Sequence, residues 1–248
     1  MDVAKLKDLP LAVDAAVKAG AVADGVSRRA NLMRQRGQDK AGKPSQKLFF
    51  AESLAMLEPA LRQLREPLHL PKTSAPKVVI LIPGFAAHPL RMRYMAEKLE
   101  EAGHTVKSWG MGFNFGPTEE NFEFLSHRVK NVHERYGEKV VLVGWSLGGI
   151  FARELAKRHS DIVSKVVTMG SPFSHTPYSN NVWRAYELIT GHSVKCPPVV
   201  ADMSAKPPVE TVALWSPRDG VVSGRSACGY AGERDRARAL RCSMSFRR

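Results

Sequence analysis

From residue 77 onward two hydrophobic patterns alternate along the chain. Short apolar runs are separated by stretches in which apolar residues recur every three or four positions. The runs are KVVILIPGF (77–85), HTVKSWGM (104–111), KVVLVGW (139–145), part of IVSKVVTMGSPF (162–173), TVALWSPRD (211–219) and ARALRCS (237–243). Runs without polar alternation suit strands covered on both faces, as in a parallel sheet. Between them, PLRMRYMAEKLEEAG (89–103), TEENFEFLSHRVKNVHERYG (118–137) and the residues from Ser146 to about His159 carry helical spacing. Thr118 is the expected N-cap of the second of these helices. Strand and helix alternating at this interval predict right-handed crossovers and an α/β domain, a mostly parallel central sheet flanked by helices. Ligands of such sheets bind at the carboxyl ends of the strands.

Residues 1–70 differ in character and read as a helical N-terminal appendage to a domain spanning 75–248. Leu6, Leu9, Leu11, Val13, Ala16 and Val17 recur at roughly helical spacing, broken at Pro10. KLFFAESLAMLEPALRQLRE (47–66) is a second amphipathic stretch, interrupted by Pro59, and a polar connector (36–46) separates the two. The Pro-rich PLHLPKTSAP (67–76) reads as a linker. The appendage is expected to pack on the main domain or to touch a membrane surface.

Composition narrows the compartment and the partners. The 248 residues are 44% apolar and 25% charged, ordinary for a globular protein. No run reaches the ~20 apolar residues that span a bilayer. The first twenty residues lack a signal-peptide core, so a cytoplasmic location is expected. Cys196, Cys228 and Cys242 follow no metal or disulfide spacing; reduced, buried thiols are expected, and neither a metal nor a cofactor. The net charge of +13 is densest at 28–47, around Arg62 and Arg65, and in the last thirty residues. Few aromatic residues interleave and no nucleic-acid motif appears, which argues for a solvated basic surface with weak peripheral membrane contact and no specific nucleic acid. GQDKAGK (37–43) matches the start of a phosphate loop, but Pro44 stands where the motif needs Ser or Thr and no buried strand precedes it.

The chemistry concentrates in KVVLVGWSLGGIFARELAKRH (139–159). Gly144-Trp145-Ser146-Leu147-Gly148 fits G-x-S-x-G, and its context is strand, sharp turn, helix. That context exposes a strained serine at the head of a helix as a nucleophile. The alternative is an ordinary glycine-rich βα turn, which shares this flanking order without a nucleophile. A nucleophilic serine needs two N–H donors for its oxyanion. They are expected from Leu147, next after the serine, and from Phe85, in the Pro-Gly-Phe turn after the first buried run. Asp219, four residues past Trp215, sits where an orienting carboxylate would follow a later strand.

These segments together resemble the α/β-hydrolase family over roughly residues 75–243. VVLVGWSLGG, VVILIPGF, GSPF (170–173) and WSPRDGVV occur in the family's order, closest in kind to serine esterases and lipases. The resemblance implies an α/β-hydrolase fold, Ser146 as nucleophile, Asp219 as the group that orients a histidine, and a short helical cap at about 174–208. A cap helix is expected from Val182 to Ile189, with Trp183, Tyr186 and Leu188 facing an apolar acyl group.

The same resemblance exposes a gap. The family places its histidine after the last strand, beyond the acid, and none of the eight histidines lies past Asp219. Ser243-Met244 stands there, and the C-terminus reads as truncated. Serine without an adjacent base is a weak nucleophile. His175, just past the fourth strand, and His88, in the oxyanion loop, are the surrogate-base candidates, and His192 lies in the cap. Three functions follow: an ester hydrolase with an acyl-enzyme on Ser146, a catalytically impaired hydrolase-fold binding protein, and, less favoured, an acyltransferase.

Overall fold

A computed structural model describes residues 24–34, 42–53, 68–199 and 202–241. The predicted helix at Leu6–Val17, most of the connector, residues 54–66 of the second amphipathic stretch, Cys242 and Ser243-Met244 lie outside the described residues.

Six strands form one sheet: β1 (Val78–Ile82), β2 (Thr105–Ser108), β3 (Val140–Trp145), β4 (Val163–Met169), β5 (Glu210–Trp215) and β6 (Arg236–Ala239). Their order is β2-β1-β3-β4-β5-β6, and every pair is parallel. The mostly parallel sheet expected from the pattern is wholly parallel over the described residues. Several bounds shift from the sequence reading. The last strand begins at Arg236 and ends at Ala239, because its exposed, arginine-rich edge position breaks the apolar run. The segment after Pro89 opens as a single 3₁₀ turn, Pro89–Met92, before it becomes helical.

The helices are α1 (24–34), α2 (Gln46–Ser53), α3 (Arg93–Glu101), α4 (Glu119–Tyr136), α5 (Leu147–Arg158), α6 (Trp183–Thr190) and the short α7 (Gly224–Cys228). Local signals fix α4. Thr118 accepts from the Asn121 N–H at 3.1 Å, Glu119 and Glu120 occupy the positive end, and Gly137 closes the other end at φ 67°.

Alternate residues of the strands feed two cores. On one face Ile80, Ile82, Val140 and Leu142 meet Phe122, Leu125 and Val129 of α4 and Phe151, Ala152 and Leu155 of α5. On the other Val79, Leu81, Val141 and Val143 meet Met92 and, from α3, Met95 and Leu99. Two-sided burial is why these strands carry no polar alternation.

Strand order reverses direction at β1 and β3. The chain leaves β1 toward β2 on one side, while β3 lies on the other. The crevice above the carboxyl ends of β1 and β3 is therefore a topological switch point, where open α/β sheets bind ligands. Pro83–Ala86 and Ser146 face each other there.

The N-terminal helices dock beside this edge. Arg29 of α1 donates from Nε to the Leu188 carbonyl at 2.9 Å, at the negative end of α6. Asn181 Nδ2 donates to the carbonyls of Pro44 (3.2 Å) and Gly220 (2.8 Å). A Cβ on Gly220 would stand 2.2 Å from the Leu48 carbonyl, so α2 sits directly on the loop that carries Asp219.

Candidate active site

Ser146 links β3 to α5 in one residue, at φ 50° and ψ −119°. That positive φ is costly for a side chain larger than glycine's, and strain of this kind is held by its surroundings. Here glycines provide the room. A Cβ on Gly144 would lie 2.2 Å from the Gly148 carbonyl oxygen, and one on Gly148 would lie 2.2 Å from the Ile82 carbonyl oxygen. The Ser146 N–H donates to Met169 O at 2.8 Å, tying the turn to β4. The serine side chain is half-buried at the amino end of α5, where the helix dipole favours a developing negative charge.

The turn after β1 closes against the serine. A Cβ on Gly84 would be 3.2 Å from Ser146 Cβ. Asn114, fully buried, clamps this turn. Its Nδ2 donates to Pro83 O at 2.7 Å and its Oδ1 accepts from the Gly116 N–H at 3.1 Å. The backbones also exchange bonds: Ala86 N–H to Asn114 O at 2.7 Å and Asn114 N–H to Ala87 O at 3.1 Å. Ala86 is held at φ 54°. The sequence reading missed Asn114, because the turn it clamps lies about thirty residues away and no local pattern marks it.

Ser146, Leu147 and Phe85 line one cavity of about 110 Å³. Its walls are almost wholly apolar, with Tyr186 and Trp183 from the predicted cap helix; the Phe85 and Tyr186 rings stand 5.3 Å apart. Burial pushes the Tyr186 phenol up to about 12, so it stays neutral. Leu188 does not join them. It is 48% exposed on the outer face of α6, correcting the expectation that it faces the cavity.

Asp219 lies in a second, more open cavity of about 980 Å³, shared with His175, Arg225, Tyr230 and Lys43. Its Oδ1 accepts from the N–H groups of Val221 (2.8 Å) and Val222 (2.9 Å). Burial pushes its carboxyl up to about 7; the two N–H bonds oppose this, and the nearby Glu52 carboxylate adds to it. Glu52, from α2, accepts from the Gly220 N–H at 3.4 Å and is itself buried. Nothing in the sequence pattern links residue 52 to residue 219.

His175 sits at φ 65°, stacked on Tyr230 at 4.7 Å, with Nδ1 2.9 Å from Ser174 Oγ. His88 is otherwise employed. Its Nδ1 accepts from the Leu90 N–H at 3.3 Å, capping the 3₁₀ turn, and its ring meets Phe113 edge-on at 5.1 Å. Among the described residues no histidine hydrogen-bonds to Ser146 or Asp219. The described cysteines also differ from expectation: Cys196 is exposed and Cys228 half-buried, both free. No cluster of three metal-binding side chains occurs among the described residues, and no described helix is long and apolar enough to cross a membrane.

The raised Asp219 carboxyl predicts a pH effect on stability. The folded state keeps its proton up to about 7, while an unfolded aspartate releases it near 3.9. The folded state therefore binds more protons across that interval, and stability falls as pH rises through it. The loss is on the order of 3–4 kcal/mol between about pH 4 and pH 8. Asp219→Asn keeps the acceptor and removes the titration. Urea unfolding at several pH values should show the wild type losing stability relative to this variant as pH rises; parallel curves would refute the assignment.

Similarity to known proteins agrees with this architecture. A family profile described as "alpha/beta hydrolase fold" matches residues 77–187. The pimeloyl-[acyl-carrier protein] methyl ester esterase of Vibrio cholerae is 30% identical over 95 residues, which cover 38% of this chain and 36% of that protein. The matched stretch thus spans about a third of that relative's length. Among solved structures, a 2-hydroxy-6-oxo-6-phenylhexa-2,4-dienoate hydrolase from Rhodococcus sp. strain RHA1 superposes at a TM-score of 0.52, with 12% identity over 70% of this chain and 84% of that one. The RedJ thioesterase from the prodiginine pathway of Streptomyces coelicolor superposes at 0.51, with 14% identity over 73% and 90%. The chain has the α/β-hydrolase fold.

Proposed function

We propose that this protein hydrolyses carboxylic esters through an acyl-enzyme on Ser146. The observation that carries the reading is the strained Ser146, set between the Gly84–Phe85 turn and the amino end of α5 and opening onto an apolar cavity. In the first step Ser146 Oγ attacks the ester carbonyl carbon and its proton passes to a base. The N–H groups of Phe85 and Leu147 receive the oxyanion. The C–O bond to the alcohol then breaks and the alcohol leaves with the proton. Water next attacks the acyl carbon, gives up a proton, and releases the carboxylic acid and Ser146. The apolar cavity favours an apolar acyl group. Of the surrogate bases, His175 fits better than His88, because it shares a cavity with Asp219 while the Nδ1 of His88 caps a turn.

A second reading has its own observation. Asp219 bonds to backbone N–H groups, and no described histidine bonds to it or to Ser146. A hydrolase-fold protein that binds a hydrophobic ligand with little turnover would look like this. Hydrolysis of p-nitrophenyl butyrate by the full chain, beside Ser146→Ala, separates the two. A rate lost in the variant supports the esterase; equal background rates support the binding protein.

Asn114 offers a finer test of the oxyanion assignment. Releasing the Pro83 carbonyl loosens the turn that presents the Phe85 N–H, while the backbone bonds of residue 114 to Ala86 and Ala87 remain. Asn114→Ala should lower kcat on the order of 10–100-fold with KM little changed, because a misplaced donor is felt in the transition state. A rise in KM at constant kcat would place Asn114 in substrate binding instead.

A further inference from the structure

We propose that the Ser146 cavity takes an unbranched acyl chain of about eight carbons, laid along α5 and stopped at Glu154. The proposal rests on the assignment of this cavity as the acyl site. Its basis is the spacing of the wall. Ser146, Leu147, Ile150, Phe151 and Glu154 all line the cavity, positions 0, 1, 4, 5 and 8 along one helical stripe. A helix rises 1.5 Å per residue, so this stripe runs about 12 Å from the serine. An extended chain advances 3.3–3.6 Å per three bonds, about 1.2 Å per bond, so about ten bonds fit. Long helical side chains lean toward the amino end, which draws the Glu154 stop closer and leaves about eight.

The far end is built to stay shut. Glu154 is bridged to Lys157 at 3.0 Å and to Arg158 at 3.6 Å. Arg158 also lies over the Phe122 ring at 4.1 Å. Lys157 Nζ donates to the Asp202 carbonyl, and Arg153 Nε to the Met203 carbonyl at 3.3 Å, holding the segment behind the cavity against α5. A methyl group pushed past this point would strip water from a carboxylate with two cations and offer nothing in return.

Calorimetric binding of unbranched carboxylic acids from C4 to C14 to the full chain tests this, and needs no turnover. Affinity should rise about two- to fourfold per methylene to about C8 and stop rising by about C10. Ile150→Trp should bring that break down to about C4, and Glu154→Ala should move it up by two or three carbons. A flat profile, a rise continuing to C14, or a break that neither variant moves would overturn the proposal. Fluorophosphonate labelling of Ser146 in the same preparation judges the acyl-enzyme separately. No label beside a break at C8 removes the acyl-enzyme and keeps the chain-length limit. A label beside a flat profile does the reverse.

Discussion

Replacing Ser146 by alanine is expected to lower ester hydrolysis on the order of 10⁴-fold or more. The substitution removes one oxygen and leaves the elbow standing, since alanine needs the same room that Gly144, Gly148 and Gly84 already leave. The φ of 50° costs alanine about what it costs serine, so the fold is preserved and the lost rate reports chemistry. The base follows from the same experiment. Groups that act as a unit are strongly non-additive. If His175 takes the serine proton, His175→Ala costs about as much as Ser146→Ala and the double variant costs little more. An unchanged rate in His175→Ala removes it from the mechanism. Parallel assays at short acyl length read all three variants.

The largest expected loss of stability follows from Arg153→Met. Arg153 points from α5 into the protein with 2% of its surface exposed. Its guanidinium donates to the carbonyls of Met203 (3.3 Å), Ser204 (3.1 Å), Ala205 (3.2 Å) and Glu233 (3.0 Å). It also stacks over Phe173 at 4.1 Å. Burial lowers its pKa from 12.5 to about 10, so it remains a cation at neutral pH. One side chain thus gathers the end of the cap segment, the stretch before β6 and the loop after β4. Methionine fills the space but donates nothing, and four carbonyls lose a charged donor. Each such loss costs about 1–3 kcal/mol when the group stays buried, less where the segment can turn its carbonyls to water. A total of about 3–5 kcal/mol is expected. At about 2–4 °C per kcal/mol for a chain of this size, Tm should fall by about 6–20 °C. A Tm within two degrees of the wild type would show that water replaces the guanidinium at little cost.

The parts of this molecule that the sequence displays are those whose cause is local. Buried parallel strands print as unbroken apolar runs, so β1 and β3 were legible at once. Thr118 and Gly137 announce the ends of α4 because capping depends on residues within one turn. The elbow was legible because the glycines that make room for Ser146 stand beside it in the chain. What stayed hidden depends on partners far along the chain. Asn114 matters through Pro83, Glu52 through Gly220, and Arg153 through carbonyls fifty to eighty residues away. Each looks like an ordinary polar residue of a helix or loop. The cap helix was legible in outline, but its period alone did not tell that Leu188 turns outward while Tyr186 turns in. Ser146 was read from its motif and Asp219 from its order along the chain. Order does not say that each would line a different cavity.

The measurement that bears most directly on the whole account is covalent labelling by a fluorophosphonate, followed by mass spectrometry of the intact protein and its peptides. One adduct is expected, on the peptide carrying Ser146, slowed in Asn114→Ala and absent in Ser146→Ala. No adduct on the wild type, or an adduct that survives in Ser146→Ala, would contradict it.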